Sequence, residues 1–89
     1  MAERLLHIQN KLGLHARASA RFVSEASRFA SEITLIKDNI EVNGKSIMGI
    51  MMLAAGKGTS LTLRAVGEDE LQALDAIEAL VNNRFGEEE

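Results

Sequence analysis

The order in which two kinds of apolar pattern follow one another is the feature that most limits the fold of this chain. Apolar and polar residues alternate in four short runs, which is typical of strands with one buried face. These runs occupy residues 3–8, 32–37, 40–43 and 60–66. Helical spacing of apolar residues marks residues 16–30, 47–54 and 68–85. The resulting order, β-α-β-β-α-β-α, predicts an α+β fold with the helices on one face of an antiparallel sheet.

The length and composition narrow the classes of function. With 89 residues, the chain forms one domain, residues 1–89, and any functional site has to lie near its surface. The net charge of −3 and the three aromatic residues, all Phe, disfavour a nucleic-acid partner. Because cysteine is absent, we expect no disulfides and no zinc–thiolate cluster. No apolar run is long enough for a signal peptide or a membrane span, so we expect a cytoplasmic protein.

The first strand is expected to have one covered face. Leu6 and Ile8 alternate on the inner side, while Leu5 and His7 lie on the opposite side. Because His7 has no second ligand or base nearby in the sequence, we expect it to be structural.

The candidate functional residues lie where the first loop ends and the first helix begins. Gly13 allows the backbone to turn tightly just before His15, and the helical pattern starts at Ala16. At a helix start, the first backbone N–H groups lack partners and the helix dipole favours an anion. Arg17 adds a planar guanidinium group that matches phosphate oxygens. The segment therefore predicts a phosphate site made by the backbone of Ala16 and Arg17 and by the Arg17 side chain.

His15 is the candidate acceptor of a phosphoryl group. A neutral imidazole nitrogen is nucleophilic near neutral pH, and a helix N-terminus favours the neutral ring. The alternative is that His15 is a surface residue or a local helix cap and that Arg17 is merely solvated. We expect no metal and no cofactor. The segment Gly56–Thr59 lacks the glycine spacing of a nucleotide-binding loop, and a strand follows it.

The two middle strands are expected to form a hairpin. Asp38 and Asn39 separate them and tolerate the backbone angles of a two-residue turn. The inner face is predicted to consist of Ile33, Leu35, Ile40 and Val42.

The second helix is apolar around almost its whole circumference. Ser46 is suited to cap its start, and Ile50 and Leu53 are predicted to point into the core. Three residues, Ile47, Met48 and Met51, are then left in an exposed apolar patch that suits docking to several partners. The alternative is that the methionines fill an irregular core.

The last helix is predicted to begin with three carboxylates and to end at a glycine. Residues Glu68–Glu70 complement the helix dipole, Gly86 stops the helix, and Glu87–Glu89 should form a solvated tail. The predicted buried stripe consists of Leu71, Leu74, Ile77, Leu80 and Val81.

Residues Asn10–Ser19 and Gly44–Met48 closely resemble the HPr family, the histidine phosphocarriers of the bacterial phosphotransferase system, and the resemblance runs from end to end. It implies an open-faced β-sandwich, phosphorylation of His15 through its Nδ1 atom, and contact of the phosphate with Arg17. It also implies a covalent carrier that is not itself an enzyme. Such a carrier accepts a phosphoryl group derived from phosphoenolpyruvate from enzyme I and passes it to an enzyme IIA domain.

The resemblance carries further expectations. The second helix would form the docking surface shared by donor and acceptor, and Ser46 would be a target of an HPr kinase/phosphorylase, although a helix cap needs no such role. The C-terminal half looks especially like the proteobacterial members, including the nitrogen-related paralogue NPr, in residues Gly44–Met48, Met51–Thr59 and Asn82–Phe85. Sugar uptake and regulatory relay therefore both remain open. Ala18 stands where the family usually has proline, which leaves the helix intact but could alter the phosphate geometry. A monomer is expected.

The element order by itself also fits a second class of protein. A ferredoxin-like domain with an extra helix has the same order, and such a domain would bind a small molecule in a regulatory role. It would need no surface nucleophile.

Overall fold

The computed structural model describes residues 1–89 and confirms the predicted order of elements and the open-faced β-sandwich. One antiparallel sheet has the spatial order β1-β4-β2-β3, and three helices cover one of its faces. The strands are β1 (Ala2–His7), β2 (Glu32–Lys37), β3 (Ile40–Asn43) and β4 (Ser60–Val66). The helices are α1 (Ala16–Ala26), α2 (Ile47–Met51) and α3 (Glu70–Asn82), and a short 3-10 turn follows at Arg84–Gly86.

Strand β4 lies at the centre of the sheet and organises the core. Leu61 pairs with Leu6 of β1, and Leu63 pairs with Leu35 of β2. These side chains share the inner face, where Phe22 of α1 packs in the same core cluster. The open face carries the alternate residues of each strand, because side chains alternate across a sheet. On this face, the Nδ1 atom of the exposed His7 lies 2.9 Å from the Ser60 hydroxyl.

All three helices end earlier than their apolar patterns predicted. Helix α1 stops at Ala26 instead of residue 30, because the backbone N–H groups of Ala30 and Ser31 are held by the Asp69 carboxylate. Helix α2 stops at Met51, and Ala54, with φ of +50°, reverses the chain. Helix α3 stops at Asn82, before positive-φ backbone at Arg84 and Phe85.

Two residues assigned to the core from the sequence are exposed. Ile40 is on the inner side of the edge strand β3 but is 54% exposed, since no further strand covers that edge. Leu71 in the first turn of α3 is 59% exposed, and Ala73 takes a core position instead. The other members of the α3 stripe are buried or half-buried.

Asp69, at the start of α3, binds the last residues of the loop between α1 and β2. Its carboxylate accepts hydrogen bonds from the Ser31 hydroxyl and from two backbone N–H groups. These hydrogen bonds lower the pKa of Asp69 below its ordinary value. The bond from the Ser31 hydroxyl has the largest effect, and the bond from the Ala30 N–H has the second largest. This contact therefore contributes stability above the pKa of the unfolded state, and the contribution is lost as the pH falls through the folded pKa.

Helix α2 has the orientation expected from the sequence. The Ser46 side chain accepts a hydrogen bond from the Gly49 N–H at 3.1 Å, and Ile50 and Leu53 are buried. The other apolar side chains are exposed, and Met52, which the sequence analysis did not place, is exposed as well. We call this group the α2 apolar surface: Ile47, Met48, Met51 and Met52.

Candidate functional site

The loop between β1 and α1 is held in place by a buried amide. Asn10 is fully buried, and its Nδ2 atom donates to the Gly13 carbonyl at 2.8 Å. Gly13 has φ of +65°, and the next residue, Leu14, donates its N–H to the carbonyl of Ala55 at 2.9 Å. The loop is thereby attached to the connection that follows α2. This fixes the path of the chain as it enters α1.

His15 is the residue at the start of α1. Its backbone is extended, its side chain makes no capping hydrogen bond, and its carbonyl accepts the first helical N–H, from Ser19 at 2.9 Å. The N–H groups of Ala16 and Arg17 consequently have no partner within the helix. The imidazole is 28% exposed, so the ring is accessible beside a set of free donors.

Arg17 shares an open cleft of ≈ 750 Å³ with His15 and Lys11. Its side chain is exposed and forms no ion pair with any part of the chain. A guanidinium that is free and beside unpaired backbone donors suits an anion that arrives from solution. Ala18 is fully buried, and α1 begins normally even though proline is absent from this position.

The C-terminal tail also belongs to the site. The predicted solvated tail is confirmed at Glu88 and Glu89, which are exposed, but is wrong at Glu87. Glu87 is only 16% exposed, and its Oε2 atom lies 2.6 Å from His15 Nε2. Its Oε1 atom accepts from Asn10 Nδ2 at 3.0 Å. The tail returns to the site because Phe85 is buried and anchors the chain just before it.

The environment of Glu87 keeps it ionised. Burial raises the pKa of this carboxyl, but hydrogen bonds from Asn10 and His15 and the charge of Arg21 lower it, and the net pKa lies below the ordinary value. The contact therefore contributes stability that is fully present above the pKa of the unfolded state and is lost as the pH falls through the folded pKa.

Asn10 and Glu87 were not among the site residues predicted from the sequence. Asn10 lies in the segment that resembles the HPr family, but its residue type gave it no role of its own, and a run of three glutamates is typical of a solvated terminus. The available signal was Phe85, a large apolar residue placed beside Gly86 after the helical stripe had ended.

The geometry indicates neither a metal site nor a membrane span. No group of three or more His, Cys, Asp or Glu side chains is arranged to hold a metal ion. None of the helices has both the length and the hydropathy that a membrane crossing requires.

Comparisons with known proteins identify the family of this chain and agree with its fold. The protein family described as "PTS HPr component phosphorylation site" matches residues 2–83. The phosphocarrier protein HPr of Neisseria meningitidis is 53% identical over 89 residues, which is 100% of both chains. The crystal structure of HPr-C-His from Thermoanaerobacter tengcongensis has a TM-score of 0.96 and 49% identity, and covers 100% of both chains. An HPr dimer from the same organism has a TM-score of 0.79 and 49% identity, and covers 98% of this chain and 100% of that one.

The relative from Neisseria meningitidis and the structure from Thermoanaerobacter tengcongensis match the chain over its full length, and the family model matches residues 2–83. These matches exclude the ferredoxin-like domain that the order of elements also allowed. The relatives are phosphocarriers and not catalytic enzymes. From the full-length matches and the fold, this chain belongs to the HPr family of phosphocarrier proteins of the phosphotransferase system.

Proposed function

We propose that His15 accepts a phosphoryl group from phosphorylated enzyme I and passes it to an enzyme IIA domain. The single observation that carries this proposal is the position of His15: a partly exposed imidazole at a helix N-terminus, in one open cleft with an unpaired arginine. Phosphoenolpyruvate is the ultimate source of the group. The carrier acts in the cytoplasm, where the soluble components of such a relay meet.

The chemistry of the step is a transfer between two nitrogen atoms. The lone pair of His15 Nδ1 attacks phosphorus, and the bond between phosphorus and the donor nitrogen breaks with its electron pair returning to the donor ring. The N–H groups of Ala16 and Arg17 and the Arg17 guanidinium stabilise the phosphoryl oxygens as the group arrives. Transfer to the acceptor reverses this sequence.

A reconstituted relay tests the proposal. The protein is incubated with enzyme I and phosphoenolpyruvate, and we expect one acid-labile phosphoryl group on each chain. The phosphorylated protein is then offered a sugar-type and a nitrogen-type IIA domain in separate reactions. Transfer to one of them identifies the relay in which this carrier works, whereas no acceptance from enzyme I would refute the proposal.

Arg17→Ala is expected to slow phosphoryl transfer about tenfold or more without unfolding the protein. The substitution removes a charge-assisted contact of roughly 1.5–3 kcal/mol with the phosphoryl oxygens but leaves the nucleophile in place. Rapid-quench kinetics measure the effect in both directions. Arg28→Ala is the matched control, because Arg28 is an exposed arginine near the other end of α1 that pairs with Glu25. Equal rates for the two variants would exclude the role of Arg17.

We propose that the α2 apolar surface is the docking surface for donor and acceptor. Its exposed methionines are adaptable, and burying them against a partner would remove apolar area from water. Replacing Met48 and Met51 with glutamate should weaken enzyme I binding at least tenfold, on the order of 1.4 kcal/mol or more. Isothermal titration calorimetry measures the affinity.

The same double substitution should leave the melting temperature almost unchanged, because Met48 is 77% exposed and Met51 is 43% exposed. A matched control replaces Leu5 and Leu71, which are exposed on other surfaces, with glutamate. A large loss of stability in the methionine variant would favour a role in the core. Equal binding by both double variants would place the docking surface elsewhere.

We propose that Ser46 is a regulatory site for an HPr kinase/phosphorylase. A phosphate on Ser46 would sit at the start of α2, where a helix tolerates negative charge, and at the edge of the α2 apolar surface. Ser46→Asp should therefore reduce enzyme I affinity, partly relieved by salt, while transfer within the complex stays normal.

The control for charge at this position is Ser46→Asn, because asparagine caps a helix equally well without a charge. Donor affinity and single-turnover transfer are measured for both variants at two ionic strengths. Equal affinity together with a slower chemical step in Ser46→Asp would contradict the docking mechanism.

The expected monomer remains a prediction. One related structure is described as an HPr dimer, so the mass in solution should be measured by sedimentation.

A further inference from the structure

The contact between Glu87 and His15 determines which ring nitrogen carries the proton. The Glu87 Oε2 atom lies 2.6 Å from His15 Nε2, and an ionised carboxylate can only accept a hydrogen bond. A neutral imidazole has one N–H donor and one nitrogen with a free lone pair. Nε2 must consequently be the donor, which leaves the lone pair on Nδ1.

The second oxygen of Glu87 explains why a carboxylate is needed here. Asn10 Nδ2 donates to Glu87 Oε1 at 3.0 Å and to the Gly13 carbonyl at 2.8 Å, so both amide protons have acceptors and the orientation of the amide is fixed. Glu87 thus accepts a hydrogen bond at each oxygen. A neutral glutamine would have to turn its NH₂ group toward either Asn10, donor against donor, or His15.

The tail that carries Glu87 is attached at several points. Arg21 of α1 donates to the Phe85 carbonyl, and Arg84 donates to the Glu88 carbonyl at 3.1 Å. Lys11, in the loop before His15, forms an ion pair with Glu89 at 3.3 Å. These contacts limit the positions open to the Glu87 carboxylate and favour its contact with the ring.

We propose that Glu87 is a positioning residue that holds the unphosphorylated His15 ring as the Nε2–H tautomer, with Nδ1 as the free nucleophile. This inference rests on the proposed function of His15. When Nδ1 forms its bond to phosphorus, the donor's bond to phosphorus breaks and its electron pair returns to the donor. His15 Nε2 keeps its proton, and the Glu87 carboxylate stabilises the positive charge that develops on the ring. Asn10 acts through Glu87 by holding its other oxygen.

Nitrogen-15 NMR of the unphosphorylated protein tests the tautomer directly. At a pH where the imidazole is neutral, long-range proton–nitrogen correlations distinguish Nδ1 from Nε2 as the protonated atom. We expect wild-type His15 to be Nε2–H, and Glu87→Gln to shift the ring toward Nδ1–H. Glu88→Gln is the matched control, because it removes the same charge from a neighbouring exposed side chain. His7 is an internal reference on the open face of the sheet.

Phosphorylation kinetics provide the second measurement. Glu87→Gln should slow single-turnover transfer from enzyme I about tenfold with an unchanged donor affinity, since the nucleophilic nitrogen is protonated in a larger fraction of molecules. Glu88→Gln should behave as wild type. An Nδ1–H ring in the wild type, or the same tautomer and rate in both glutamine variants, would overturn the role of Glu87. Failure of wild-type His15 to accept phosphate would instead refute the proposed function, whatever the tautomer.

Discussion

Replacing His15 with alanine is expected to abolish phosphoryl acceptance while leaving the fold intact. The ring is partly exposed, provides no cap to α1, and makes its side-chain hydrogen bond only with Glu87 of the tail. Its removal therefore deletes the nucleophile and one surface contact, so the free energy of unfolding should change by about 1 kcal/mol or less. The core beneath α1, which includes Phe22, is not affected.

The measurement combines a phosphorylation assay with thermal unfolding. Enzyme I and phosphoenolpyruvate are added to wild type, His15→Ala and His7→Ala, and acid-labile phosphate is quantified over time. His7→Ala is the matched control, because His7 is the other histidine of the chain and lies on the open face of the sheet beside Ser60. Normal phosphate incorporation into His15→Ala would contradict the assignment. Loss of incorporation in both variants would point to a general defect.

Gly13→Ala is expected to have the largest effect on stability among the substitutions considered near the site. A Cβ atom at this position would lie 2.3 Å from the Ala55 carbonyl oxygen and 2.7 Å from the Gly56 Cα atom. Both neighbours are backbone atoms and cannot move away as a flexible side chain can. Gly13 also has φ of +65°, which alanine disfavours. Together these effects should lower the free energy of unfolding by about 2–4 kcal/mol.

The loop carrying His15 should shift in the same variant, because the hydrogen bond from Leu14 to the Ala55 carbonyl connects it to the segment after α2. We expect slower phosphoryl acceptance even in the folded fraction. Chemical denaturation and transfer kinetics measure the two effects.

Gly56→Ala is the control for Gly13→Ala. Gly56 lies in the adjoining segment, and a Cβ atom there would meet nothing within 4 Å. This variant should unfold and accept phosphate nearly as wild type does. Equal stability of the two alanine variants would show that the backbone contact at Gly13 relaxes without cost.

The one-sided alternation of apolar residues explains why the sheet could be predicted from the sequence. In β4, Leu61, Leu63 and Ala65 are buried while their neighbours lie toward the open face, and the observed strand has the predicted bounds. The β2–β3 turn was predicted from the pair Asp38-Asn39, and Asp38 has φ of +56°. The strands and the turn depend on residues that are close together in the sequence, so the local pattern of residues was enough to predict them.

The helix ends depend on contacts between distant parts of the chain. Residues 27–30 continue an acceptable helical pattern, but Asp69 binds the backbone at Ala30 and Ser31 from 39 and 38 residues away. Propensity cannot anticipate such a contact. The exposure of Ile40 has a similar origin, because it depends on the position of β3 at the sheet edge.

The candidate site was predictable only in part. His15 and Arg17 are close in sequence, and a helix start brings their functional groups to one place. Glu87 reaches His15 across 72 residues, and only the buried Phe85 and the reversed backbone around it bring the tail back. The chemical character of a glutamate run does not reveal that path.

Whether His15 carries the phosphoryl group on Nδ1 can be decided by one NMR measurement. The protein is labelled with nitrogen-15 and phosphorylated with enzyme I and phosphoenolpyruvate, and its histidine nitrogen resonances are recorded before and after. We expect His15 Nδ1 alone to acquire coupling to phosphorus while both His7 nitrogens stay unchanged. Coupling at His15 Nε2, coupling at His7, or phosphate on a residue other than histidine would contradict it.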